Sequence, residues 1–205
     1  MSAPVDIADL CLLILGKPSI ASFADNSNTA RAINISYDQL RRKMQEGPGT
    51  WRFTIKRTSL PALTTQPASG PFQQQFALPS DFLRPLQVGD TYAGLDMSDY
   101  RQGPTDADYS IESGILLCDY GVPVSLMYVS DTSNTTLFNP NFSIALAAEL
   151  AYYNCERLTG SDAKQEAALK RRDKAYSDAA ASNAMWSPPG HNADSEWITA
   201  RMGNA

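Results

Sequence analysis

The hydrophobic pattern of this chain is helical at both ends and two-residue in the middle, and that change of period limits what it can become. Before Gly47 and after Asn139, apolar side chains recur every three to four positions, the spacing of one helix face. The first helix is predicted over Pro4 to Leu15, with Pro4 in its opening turn and Gly16 and Pro18 ending it. Its residues are apolar nearly all round, which predicts burial on more than one side. A second helix starts within the capping side chains Asp25 to Asn28 and carries Ala30, Ile33, Tyr37, Leu40 and Met44 on one face. Arg31, Asp38, Arg41, Arg42 and Lys43 fall on its other faces, and Gly47-Pro48-Gly49 stops it.

From Trp51 the period becomes two: Trp51, Phe53 and Ile55 alternate with Arg52, Thr54 and Lys56, as in a half-buried strand. Prolines and glycines then break the chain into short apolar runs at Phe76 to Leu78, Leu86 to Val88, Ile115 to Cys118 and Val124 to Val129. Short antiparallel strands joined by loops fit this best. Helical period resumes after Asn139-Pro140, an N-cap followed by a proline at the first helical position, and runs to Gly160. Ser161 then caps a last, alanine-rich helix ending near Asn183. The expected fold is α+β: an antiparallel helical bundle from residues 1–50 and 136–183, a small antiparallel β insertion over 51–135, and an extended arm over 184–205.

Charge narrows the function. The net charge is -5, and a protein that grips nucleic acid through its phosphates normally carries a basic excess. The excess acid is uneven: residues 51–135 hold five basic against nine acidic side chains, residues 1–50 five against five, and residues 136–205 seven against eight. Asp96, Asp99, Asp106 and Asp108 cluster in the insertion without the spacing or glycine of a calcium-binding loop, and read as a solvated acidic loop. The run Lys170-Arg171-Arg172-Asp173-Lys174 reads first as a solvated helix face, with an inter-subunit or nucleic-acid contact as the alternative.

Neither catalysis nor a cofactor finds support. The one histidine, His191, lies in a Pro/Gly-flanked tail, whereas acid–base chemistry needs a base held rigidly beside its partner. Ser161-Asp162-Ala163-Lys164 matches the bare S-x-x-K pattern but reads as a helix cap. Phosphate-cradling, dinucleotide-binding and metallohydrolase motifs are absent from the sequence. Cys11, Cys118 and Cys155 are odd in number and form no metal or disulfide pattern, so buried thiols in a reducing compartment are expected. With no basic leader before the first apolar run and no stretch of ~18 apolar residues, a soluble cytoplasmic product without membrane contact is expected.

Four stretches carry a resemblance. They are Leu13-Ile14-Leu15-Gly16-Lys17-Pro18-Ser19-Ile20, Trp51-Arg52-Phe53-Thr54-Ile55-Lys56-Arg57-Thr58-Ser59-Leu60, Phe76-Ala77-Leu78-Pro79-Ser80-Asp81-Phe82-Leu83-Arg84, and Phe142-Ser143-Ile144-Ala145-Leu146-Ala147-Ala148-Glu149-Leu150-Ala151. In that order and spacing the chain resembles the head-to-tail adaptors of short-tailed bacteriophages, the tail tubular protein A type. The resemblance implies a structural protein of the virion neck, assembled in the host cytoplasm as a dodecameric ring. Its partners would be the portal above, a tail nozzle of the tubular protein B type and tail fibres below, and further copies of itself, with DNA passing through unheld. Another neck or head-completion ring is the nearest alternative, and a nucleic-acid-binding regulator a more distant one.

Under that reading the acidic residues Asp96, Asp99, Asp106 and Asp108 would line the channel and repel sliding phosphates. Trp186, Trp197, Ile198 and Met202 are large apolar groups on a polar tail, the type of side chain that anchors an interface, and would contact the portal. Lys170, Arg171, Arg172 and Lys174 would meet a neighbouring subunit. Within the chain, Trp51 and Phe53 are expected as core aromatics where helices meet sheet, and Arg84 is expected to pair with Asp81 or a neighbouring subunit.

Overall fold

The computed structural model describes residues 3–47, 49–65, 67, 70–89, 91–92 and 109–186. Its helices are α1 (Pro4–Leu15), α2 (Asn28–Glu46), α3 (Pro140–Thr159) and α4 (Asp162–Ala184). Between α2 and α3 lie the strands β1 (Ile55–Leu60), β2 (Gln74–Ala77), β3 (Phe82–Val88), β4 (Thr91–Tyr92), β5 (Tyr109–Glu112), β6 (Ile115–Cys118) and β7 (Val124–Ser130). The fold is α+β, as the change of period predicts.

Three of the helices begin on a capping side chain, and two end on a left-handed glycine. Ser27 Oγ accepts from the Ala30 amide at α2, Asn139 Oδ1 from the Asn141 amide at α3, and Ser161 Oγ from the Lys164 amide at α4. Gly16 and Gly160 take the left-handed conformation that closes α1 and α3 (φ 66° and 59°). The S-x-x-K stretch is thus a helix start.

Helix α3 is the axis of the bundle. Phe142, Leu146, Leu150 and Cys155 are buried along it, together with Ala145, Ala147, Ala148 and Ala151, and it packs against α1, α2 and α4. The small alanines let three neighbours approach one helix on different sides. Helix α1 departs from expectation: it buries Ile7, Ala8, Cys11, Leu12 and Leu15 but leaves Leu13 75% exposed. Among the described residues it packs mainly on α3 and lightly on α4, so one face is covered and the other is not.

The strands form two antiparallel sheets, one ordered β1-β7-β3-β4 and the other β2-β6-β5. Leu60, Val88, Val124, Leu126 and Tyr128 of the first face Phe76, Leu116 and Cys118 of the second across a separate apolar core. Strands β5 and β6 are joined by Ser113 (φ 50°) and Gly114 (φ 79°), two residues with positive φ, which is the tight turn that matches strand twist.

The alternation starting at Trp51 is not the beginning of a strand. Arg52–Thr54 form a turn of 3-10 helix, closed by the Thr54 amide and hydroxyl, both donating to the Trp51 carbonyl. The turn sends Trp51 and Phe53 into the helical core as expected core aromatics. Trp51 meets Phe142 edge-on with ring centroids 4.8 Å apart, and its indole N–H donates to the Met44 carbonyl at 2.7 Å. Phe53 packs against Phe142 and Phe138.

A buried polar joint ties the bundle to the first sheet. Arg41, assigned to an outer helix face by its charge, is 2% exposed. Its guanidinium donates to Asp131 and to the Thr132 carbonyl, just past β7. Within the chain Arg84 does not pair with Asp81: it donates to the Gly47 carbonyl and Thr50 Oγ1, latching β3 to the end of α2. Asp81 instead takes Lys56 and the Tyr128 hydroxyl.

Candidate functional site

The end of α4 is where the described structure concentrates exposed apolar surface beside a cleft. Alanine-rich α4 has few large side chains, so its last turn is held by polar contacts. Asn183 accepts from the Arg52 amide at 3.0 Å and donates to the Thr50 carbonyl at 2.7 Å. Asn139, the cap of α3, donates to Ser182 Oγ at 3.2 Å. These bonds fix the end of α4 against the turn before β1 and against the start of α3.

Beyond that anchor Met185 and Trp186 stand out into solvent, Trp186 72% exposed. Trp186 borders a cleft of about 440 Å³ whose walls include Phe53, Leu137, Phe138 and Ser182. Leu137, from a 3-10 turn over Thr135–Leu137, is itself 55% exposed. The site is therefore a largely apolar ledge with a rigid base, with Arg52 on its wall, suited to receiving an apolar or aromatic group.

Of the residues read from sequence as portal contacts, Trp186 lies on this ledge; Trp197, Ile198 and Met202 lie outside the described residues. So do Asp96, Asp99, Asp106 and Asp108, and His191. Leu137 and Met185 went unread in the sequence. Each stands beside an aromatic, and the only signals were these pairs, Leu137-Phe138 directly ahead of the Asn139-Pro140 cap and Met185-Trp186 at the end of the last helix.

The basic run on α4 divides in two. Arg172 is engaged within the chain: it binds Asp173 at 2.7 Å, lies 3.8 Å from Glu149, and stacks over the Tyr152 ring at 4.6 Å. Hydrogen bonding to Asp173 leads the effects that raise its pKa further, with Asp173 and Glu149 adding electrostatically. Lys170 pairs with Glu166 one turn back at 2.8 Å. Arg171 and Lys174 are exposed. Glu149 also holds Lys43 at 2.8 Å, so this surface links α2, α3 and α4 through one carboxylate.

The three cysteines are buried. Burial, then the neighbouring Cys155, pushes the Cys11 thiol up to about 12, and burial raises Cys118 as well, so both stay protonated. Among the described residues no group of three or more His, Cys, Asp or Glu side chains could hold a metal ion. No helix among the described residues is long and apolar enough to cross a membrane. No protein-family model matches the chain, and a comparison with curated proteins finds no match.

Proposed function

We propose that this chain is a structural adaptor of a bacteriophage neck, a ring component that docks on a portal through the apolar end of α4 and the arm that follows it. The observation that carries the reading is the ledge of Trp186, Met185 and Leu137. Trp186 and Leu137 are exposed on the walls of one cleft and Met185 is exposed beside Trp186, a patch that a solvated surface would not keep, and aromatic groups in such patches anchor interfaces. The sequence continues past Trp186 from this ledge and carries Trp197, Ile198 and Met202, the other apolar groups read as portal contacts. Repetition of that contact around a ring multiplies a modest contribution from each copy. The net charge of -5 favours this reading over a nucleic-acid regulator, which would carry a basic excess for phosphates.

The test is light scattering and negative-stain microscopy of the full chain, alone and mixed with the portal ring of the same phage. A second ring stacked on the portal supports the adaptor role. A chain that leaves the portal bare refutes it and directs attention to lower tail rings.

A further inference from the structure

The exposed side of α1 carries a strip that is complementary to itself when reversed. Asp6, Leu10, Leu13 and Lys17 follow at intervals of four, three and four, which stacks them along one helix face over roughly 16 Å. The same four residues, with Asp9 and Ser19, line one shallow depression of about 550 Å³. Leu13 is 75% exposed and Leu10 38%, although the opposite side of the helix is fully buried. Lys17 follows the left-handed Gly16, and its amide returns to the Leu12 carbonyl at 2.9 Å, which fixes its position at the end of the strip. Asp6 is fixed at the other end, where its carboxylate accepts from the Ala3 amide at 2.6 Å.

We propose that two copies of the chain pair through this strip, antiparallel, about a two-fold axis between Leu10 and Leu13. Antiparallel pairing sets Asp6 of one copy against Lys17 of the next, and Leu10 against Leu13, at both ends at once. Parallel pairing would set Asp6 on Asp6 and Lys17 on Lys17. A surface that complements itself closes a pair, whereas a ring requires two different faces. The contact therefore goes beyond the adaptor reading and leaves the α4 ledge free. Lys164 and Arg171 of α4 stand at the edge of the strip beside Ile14, exposed to solvent, and take no carboxylate in this packing. With two leucines from each copy at its centre, the interface is small, so the pair is weak and concentration-dependent.

The experiment is sedimentation equilibrium of the full chain from about 10 μM to about 1 mM, the range in which small interfaces populate. The expected result is a mass rising from one chain toward two. Leu13→Asp and Lys17→Asp, both at surface positions, should each weaken the pair at least about tenfold with unchanged circular dichroism. Asp6→Lys should weaken it too, and the double swap Asp6→Lys/Lys17→Asp should restore it, because the reversed charges again face each other. A wild-type chain that stays single at the top concentration overturns the pairing, as does a Leu13→Asp variant that associates like wild type. Loss in both single swaps without rescue in the double overturns the antiparallel arrangement. Portal binding is read separately, so failure here and failure of the adaptor reading are distinguishable.

Discussion

Gln45 holds Thr132 as a neighbouring strand would: its side-chain amide donates to the Thr132 carbonyl at 2.8 Å, and its side-chain oxygen accepts the Thr132 amide at 3.0 Å. The chain leaving β7 has no further strand partner at this point, and one glutamine from α2 satisfies both backbone groups. Gln45 is fully buried, so removing it strands the Thr132 amide away from water, while the Thr132 carbonyl keeps only the Arg41 guanidinium. Gln45→Ala should cost about 2–4 kcal/mol in urea unfolding, more than a side chain of this type costs by lost packing alone. Gln45→Glu should cost less, since it keeps the acceptor for the Thr132 amide and sets a carboxylate beside the Arg41 guanidinium, 3.3 Å from the Gln45 oxygen.

Arg41 sits one turn before Gln45 and completes the same joint, donating to Asp131 at 2.5 Å and to the Thr132 carbonyl at 2.8 Å. Asp131 also holds Arg42 at 2.7 Å, but Arg42 is largely in solvent. The two arginines therefore predict different outcomes. Asp131→Ala leaves the buried Arg41 charge with only the solvent-exposed Asp38 carboxylate at 3.2 Å, and should cost about 3 kcal/mol. Arg42→Ala removes only an exposed partner and should cost less than about 1 kcal/mol. Equal losses in the two variants, measured by denaturant unfolding, would show that burial of Arg41 does not govern the joint.

Asp81 predicts a pH dependence. Burial raises its pKa, but hydrogen bonds from Lys56 and Tyr128, with the charge of Lys56, outweigh that and leave the carboxyl below its ordinary value of 3.8. Tyr128 remains a donor throughout, since burial and then Asp81 push its hydroxyl up to about 12. A carboxyl depressed in the folded state contributes stability above its unfolded pKa and loses it as pH falls through the folded value. Asp81→Asn should therefore destabilise the chain by about 1–2 kcal/mol at pH 7. That difference from wild type should shrink as pH falls below about 4. Melting temperatures of both proteins from pH 7 to pH 2.5 check this; a gap that stays constant would mean the carboxylate charge plays no part.

The helices, their caps and most strands were legible because each rests on local chemistry: a period, a capping side chain, a glycine that accepts positive φ. What hydropathy could not place was polar burial. Arg41 and Gln45 follow the Leu40 and Met44 stripe by one position, and their polarity assigns them to solvent. Only the tertiary fold, which brings unpaired backbone at Thr132 beside them, makes that position a buried one. Trp51 to Ile55 misled for a different reason: its alternation is that of a strand, but the Thr54 hydroxyl closes a turn instead. The strand Tyr109–Glu112 escaped notice because it contains no apolar run and is held by its hairpin partner. At the candidate site Trp186 was legible by size alone. Leu137 was not, since its exposure follows from how the turn before α3 sits against the end of α4.

Two tryptophans in opposite settings separate folding from docking. Trp51 is buried in the bundle, edge-on to Phe142 and Tyr176, with its indole N–H satisfied by the Met44 carbonyl. Trp51→Ala opens a cavity and orphans that carbonyl, and should cost about 3–5 kcal/mol of stability. Trp186 touches little of its own chain, so Trp186→Ala should change stability by no more than about 0.5 kcal/mol. If the ledge is the portal contact, the same change should weaken docking by roughly thirtyfold, the equivalent of about 2 kcal/mol for a lost aromatic anchor. Thermal melts and a portal-binding titration on both variants make the comparison. A Trp186→Ala chain that melts and docks like wild type would remove the ledge from the interface, and the search would move to the exposed side of α4 at Arg171 and Lys174.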